Sequence, residues 1–218
     1  LKRLSIALAE PYSYWENSIA PQYCSNEITD FTPLASLTNL TELTVCSNHT
    51  FDGGALGHPS LVYLAVGAPA IQNLSAFGGT LIHLVLKSSG QLPSFEGLGR
   101  LETLDLSAGG IVDAVSFENL AALDNLTALD LSYNLLHTLP TLKGLPHLKA
   151  LDLSHNGYLA DLSGLAGLSG LRNLDASYNS LAALPDLSAL TNLSDLYLNN
   201  NEIVDIGPLS NLPGLTTL

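Results

Sequence analysis

Four aspartates, Asp105, Asp130, Asp152 and Asp175, are separated by 25, 22 and 23 residues, and each is followed two positions later by a serine: Ser107, Ser132, Ser154 and Ser177. Carboxylates brought side by side repel one another, so some resist ionising, and a cation or a basic ligand relieves the strain. Three residues after each of the last three aspartates comes an aromatic ring, Tyr133, His155 and Tyr178, and Tyr197 takes the next place in the aspartate series. Exposed tyrosines are frequent anchors of binding surfaces. Cys24 and Cys46, the only cysteines, are both followed by Ser-Asn. That is a candidate disulfide, and a zinc site with His49 would still lack a fourth ligand. Catalytic patterns are absent: there is no phosphate-binding glycine loop, HExxH, GxSxG or paired CxxC, and the six histidines are scattered. The residues therefore read as a binding surface and not as an enzyme, with no cofactor and no metal site.

The elements that must position these residues follow from a repeat. LxxLxLxxN recurs as LTALDLSYN from Leu126, LKALDLSHN from Leu148 and LSDLYLNNN from Leu193, and with one substitution as LRNLDASYN from Leu171 and LTELTVCSN from Leu40. Weaker copies start at Leu61, Leu81 and Leu101, and the chain stops inside another at Leu215–Leu218. From Leu40 onward the starts step by 21, 20, 20, 25, 22, 23, 22 and 22 residues. Upstream, Ser18–Asn26 reads SIAPQYCSN and Leu1–Ala9 resembles one more strand, which gives eleven copies in a single domain over 1–218, the last truncated. Positions one, four and six of each copy are apolar and point inward, and one copy cannot bury that face without its neighbours. The ninth-position asparagines, Asn26, Asn48, Asn134, Asn156, Asn179 and Asn201, are placed to bond the backbone of adjacent turns. That column breaks at Pro69, Ser89 and Gly109, and SFENLAALDNL reads as a helix.

The pattern is identified as that of the leucine-rich-repeat superfamily, over nearly the whole chain. NEITDFTPLASLTNLTELTV and NEIVDIGPLSNLPGLTTL resemble internalin-like members, and the LDLS copies resemble receptor-type ones. The resemblance implies an α/β solenoid: a right-handed superhelix with a parallel β-sheet on the concave face and short helical or irregular convex segments. On such strands positions three, five and seven face the groove, so the aspartates form a column with the serines beside it. Tyr133, His155 and Tyr178 follow at position eight along the lip, with Tyr197 near them at position five. Tyr63, His83, Val85 and Lys87, around the small Ala65 and Gly67, make a less acidic patch suited to an apolar ligand surface. Neither end carries a polar cap, and the chain, opening at Leu1 inside a repeat, reads as a trimmed or mature piece.

Bulk composition narrows the partners. The hydrophobic fraction is 46% and the charged fraction 12%, so the chain folds. The longest nearly uncharged apolar stretch, about Leu61–Ile71, is too short to span a bilayer. A net charge of −13 repels nucleic acid and attracts a basic protein patch. The reading is a recognition module for a protein or glycan, basic in character, outside the cell or on its surface. The alternatives are head-to-tail assembly through the repeat ends and an intracellular scaffold in the cytoplasm. Asn39, Asn48, Asn73, Asn125 and Asn192 lie in glycosylation sequons. Four of these are NLT or NLS, which the repeat generates unaided, and Asn48 is expected to be buried in the ladder, which leaves the other four as candidate acceptors.

Overall fold

The computed structural model describes residues 2–6, 26–57, 60–88, 92–112, 117–139, 142 and 144–218. The repeat produces one parallel sheet of nine strands: β1 (Arg3–Ile6), β2 (Glu42–Cys46), β4 (Tyr63–Gly67), β6 (His83–Lys87), β7 (Thr103–Asp105), β8 (Ala128–Asp130), β9 (Ala150–Asp152), β10 (Asn173–Asp175) and β11 (Asp195–Tyr197). Thr217 bridges to Asp195 and extends the series by one position. Two further short strands, β3 (Phe51–Asp52) and β5 (Ile71–Gln72), pair outside this sheet. Equivalent positions align coil by coil, so that Val85, Asp105, Asp130, Asp152, Asp175 and Tyr197 are successive Cα partners.

The inward leucines build the core. Leu126, Leu129 and Leu131 of one copy are buried, as are Leu148, Leu151 and Leu153 of the next. Each such side chain contributes about 1.5–3 kcal/mol when removed from water. The convex side is made of 3-10 turns, at Thr32–Ser36, Leu74–Phe77, Phe117–Ala122, Ser163–Leu165 and Gly207–Asn211. SFENLAALDNL, which reads as a true helix, forms instead a 3-10 turn over Phe117–Ala122. Phe117 and Leu120 are buried three residues apart, the period of a 3-10 helix, and the same spacing continues past its end to Leu123 and Leu126.

Ladder asparagines hold consecutive coils together. Asn134 accepts from the backbone N–H groups of Gly109 and Ile111, both at 3.0 Å, and donates to the carbonyls of Leu106 and Leu131 at 3.0 and 2.9 Å. Asn156, Asn179 and Asn201 repeat the arrangement, each accepting one backbone N–H and donating to carbonyls of its own and the preceding coil. Asn48 departs from it. It is half-buried, and its amide donates to Glu27 Oε1 at 2.7 Å, while buried Ser47 reaches back to the Ile28 carbonyl at 2.8 Å.

The first coil also corrects the sequence reading. β1 pairs directly with β2, Arg3 against Glu42 through Ile6 against Val45. The strand next to β2 is therefore that of the Leu1 copy, and the described residues supply nine strands and the Thr217 bridge; residues 18–25 lie outside them. Asn26 nevertheless performs the ladder task, donating to the carbonyls of Ile6 and Cys46 at 3.4 and 3.2 Å. Cys24 lies outside the described residues.

Candidate recognition surface

The strands deliver the aspartates to one groove. A hollow of about 400 Å³ runs across the sheet and is lined by Asp105, Asp130, Asp152 and Asp175, with Tyr63 and His83 towards one end and Tyr197 towards the other. Its floor is low because the position-three residues at its centre, Ala128 and Ala150, are small. Each aspartate fixes itself with one oxygen: Oδ1 of Asp130, Asp152 and Asp175 accepts the backbone N–H two residues on, at 2.8, 2.8 and 2.9 Å. The serine at position seven supplies that N–H. Ser132, Ser154 and Ser177 are buried beside the aspartates, and the Ser177 hydroxyl donates to Asp175 Oδ1 at 2.6 Å. Position seven is buried also where the strand runs through it, at Cys46 and Lys87.

Lys87 is the second correction. Placed by alternation on the open groove, it is 1% exposed. Its ammonium turns onto the next coil and donates to Asp105 Oδ1 at 2.7 Å, to the Ser107 carbonyl at 2.8 Å and to the Ser107 hydroxyl. Three donors meet three acceptors, which is what a buried ammonium requires. Asp105 thereby has a paired cation, and the column presents three carboxylates without one in place of four.

Burial pushes the carboxyl of Asp130 up, and the charges of Asp105 and Asp152 add to it against the opposing hydrogen bonds of Ser132. Burial likewise raises Asp152, helped by the charge of Asp175 and opposed by Ser154 and His155. Desolvation, more than mutual repulsion, is thus the main cost of ionising the column. The consequence for stability has a definite sign. A folded-state value above the unfolded one means the folded chain holds protons that the unfolded chain has released. Stability from these two groups is present below the ordinary carboxylate range and is lost as pH rises through the raised values. Asp130→Asn with Asp152→Asn is expected to remove that loss, so urea midpoints should coincide with wild type in acid and exceed it at neutral pH.

The lip is a stack of rings. Tyr133 and His155 lie 4.1 Å apart at 9°, and His155 and Tyr178 4.2 Å apart at 10°. All three have left-handed backbone, φ 55°, 57° and 56°, which costs an L residue about 1–2 kcal/mol. A second stack, His137 on Tyr158 at 5.1 Å and 12°, stands on two of the same coils. At the groove's other end His83 Nδ1 meets Thr103 Oγ1 at 2.8 Å, and Tyr63 and His83 also border a second hollow of about 440 Å³ with Thr41, Glu42 and Val62. Of the sequons, Asn39, Asn73, Asn125 and Asn192 are exposed. The amides of the last three are engaged, with Asp52 Oδ1 at 2.8 Å, the Gly99 carbonyl at 2.6 Å and the Ser169 carbonyl at 2.7 Å.

Family models described as "Leucine rich repeat" match residues 99–157 and 124–181, and one described as "Leucine Rich repeats (2 copies)" matches 169–211. The chain belongs to the leucine-rich-repeat superfamily. A curated relative, leucine-rich repeat-containing G-protein coupled receptor 5 of Rattus norvegicus, is 37% identical over 94 residues, 42% of this chain and 10% of its own length. The chain therefore spans a small part of the receptor it matches. Among solved structures, internalin C2 of Listeria monocytogenes aligns with TM-score 0.56 and 30% identity, covering 88% of this chain and 76% of that one. The receptor of the TLR13–ssRNA13 complex aligns with TM-score 0.74 and 26% identity, covering 87% and 30%. The leucine-rich-repeat solenoid and its likeness to internalin and receptor types agree with the sequence reading.

Sequence reasoning placed Tyr133, His155, Tyr178 and Tyr197 near one another but missed Leu135, His137 and Tyr158. One signal was present: the repeat from Leu148 is 23 residues long, one more than its predecessor. The extra residue falls at Gly157–Tyr158, where the Leu159 N–H bonds the Asn156 carbonyl at 2.7 Å and Tyr158 is pushed out to 61% exposure.

Proposed function

We propose that this leucine-rich-repeat chain is a non-enzymatic recognition module that binds a basic segment of a partner protein in its groove. The observation that carries the reading is the row Asp130, Asp152 and Asp175. Each carboxylate ties down one oxygen and lines an open groove, and the two raised ones hold their charge at a cost that an opposite charge would repay. No lysine or arginine among the described groove residues competes, since Lys87 is buried against Asp105. The TLR13 complex contains single-stranded RNA, but a chain of net charge −13 would repel a polyanion. A glycan is the weaker alternative, because carboxylates with no paired cation favour a charged partner.

Receptor and internalin relatives support a place outside the cell or on its surface, and no helix among the described residues is long and apolar enough to cross a membrane. A Cys24–Cys46 bridge and occupied sequons at Asn39, Asn73, Asn125 and Asn192 belong to the same reading. Cys46 is buried at the end of β2, and no described cysteine is free. The test is charge reversal. Asp130→Lys with Asp152→Lys is expected to weaken a cationic peptide, selected by display against the wild-type chain, by at least about tenfold. Unchanged affinity would remove the groove from the reading.

A further inference from the structure

The rings of the lip are not required by the fold that carries them. Position eight has the same left-handed backbone in the flanking coils, φ 53° at Ala108 and 58° at Asn200. A small residue or an asparagine, which tolerates this conformation, satisfies the geometry there. Three consecutive coils instead place Tyr133, His155 and Tyr178, whose rings stack on one another. The stack ends at Tyr178, 47% exposed, because the next coil offers Asn200 and no ring. On two of the same coils a one-residue insertion lifts Tyr158 onto His137, and Leu135, two residues before His137, is 45% exposed. The outcome is a ridge of two ring stacks and an exposed leucine on the coils that carry Asp130, Asp152 and Asp175.

The coils that carry the ridge hold more carboxylates than cations, and one of the cations, Lys143, lies outside the described residues. No lysine or arginine occurs between Leu101 and Leu142. Lys149 and Arg172 stand at position two of their copies, before the strand, whereas the lip follows it. Asp152 and Asp175 precede His155 and Tyr178 by three residues each.

We propose that the ridge of Leu135, His137, Tyr158 and Tyr178 is an interaction surface for an arginine-bearing segment of a partner protein, whose guanidinium groups lie flat on the faces of Tyr158 and Tyr178. The proposal rests on the recognition reading and adds a chemical preference to it. A guanidinium is planar, so it can stack on a ring and still direct its in-plane N–H groups to a carboxylate. An ammonium is a point charge and gains less from the face. Leu135 offers apolar surface to the aliphatic stem of the same side chain.

The experiment compares a labelled oligopeptide of Gly, Ser and Arg with the same peptide carrying Lys for Arg, by fluorescence anisotropy at low salt. Wild type is expected to prefer the arginine peptide by about three- to tenfold. Tyr158→Ala with Tyr178→Ala should bring that ratio to about one, and Tyr158→Phe with Tyr178→Phe, which keeps both ring faces, should restore it. Asp130→Lys with Asp152→Lys should weaken both peptides and leave their ratio in place. Equal binding of the two peptides by wild type, or a ratio unmoved in the alanine variant, would overturn the arginine surface. The groove reading would stand if charge reversal still weakened both. Failure to bind either peptide, or glycan binding lost in the alanine variant, would also overturn the arginine surface.

Discussion

Asp105→Ala is expected to destabilise the fold by about 3 kcal/mol, whereas Lys87→Met should change stability by less than about 1 kcal/mol. The asymmetry follows from burial. The Lys87 side chain is 2% exposed and that of Asp105 35%. Deleting the carboxylate strands an ammonium that keeps only the carbonyl and hydroxyl of Ser107. Deleting the ammonium leaves a carboxylate that water reaches and that still accepts from the Ser107 N–H at 2.8 Å. Lys87→Met should also free a fourth charge in the groove, so cationic peptides should bind that variant more tightly than wild type. Urea unfolding and peptide titration on the two variants check both statements.

Asn134→Ala is expected to cost about 3–4 kcal/mol by the same assay. Its amide is the partner of two backbone N–H groups and two carbonyls, all buried between coils. Each such group left unpaired costs about 1–3 kcal/mol, and local relaxation recovers part of the sum. Asn48→Ala, at the same place in the repeat, should cost only tenths of a kcal/mol, because that side chain bonds an exposed glutamate. Equal losses at the two positions would contradict the distinction drawn between them.

The contrast between Asn134 and Asn48 marks where the sequence is informative. Inward leucines and the ladder from Asn134 to Asn201 are legible because a fixed period repeats the same environment coil after coil. The same period misleads where a local change leaves the letters intact. SIAPQYCSN carries the right ending for a coil, and Asn26 does the ladder work, but the strand that pairs with β2 is Arg3–Ile6. Position seven was assigned to the open groove by alternation, yet it is buried at Cys46 and Lys87 as at Ser132, Ser154 and Ser177. The buried lysine could not be read because its partners, Asp105 and Ser107, come from the next coil. The aspartate column was legible in full, but its electrostatics depend on burial, which a sequence does not print.

The most direct test of the groove as the recognition surface is the salt dependence of a display-selected cationic peptide, measured by titration from low to physiological ionic strength with wild type and with Asp130→Asn, Asp152→Asn. Screening weakens contacts between exposed charges. The account predicts a steep fall in wild-type affinity with salt and a weaker, distinctly flatter response in the variant. Coincident curves for the two proteins would mean that the peptide sits elsewhere, and that the groove is not where this solenoid meets its partner.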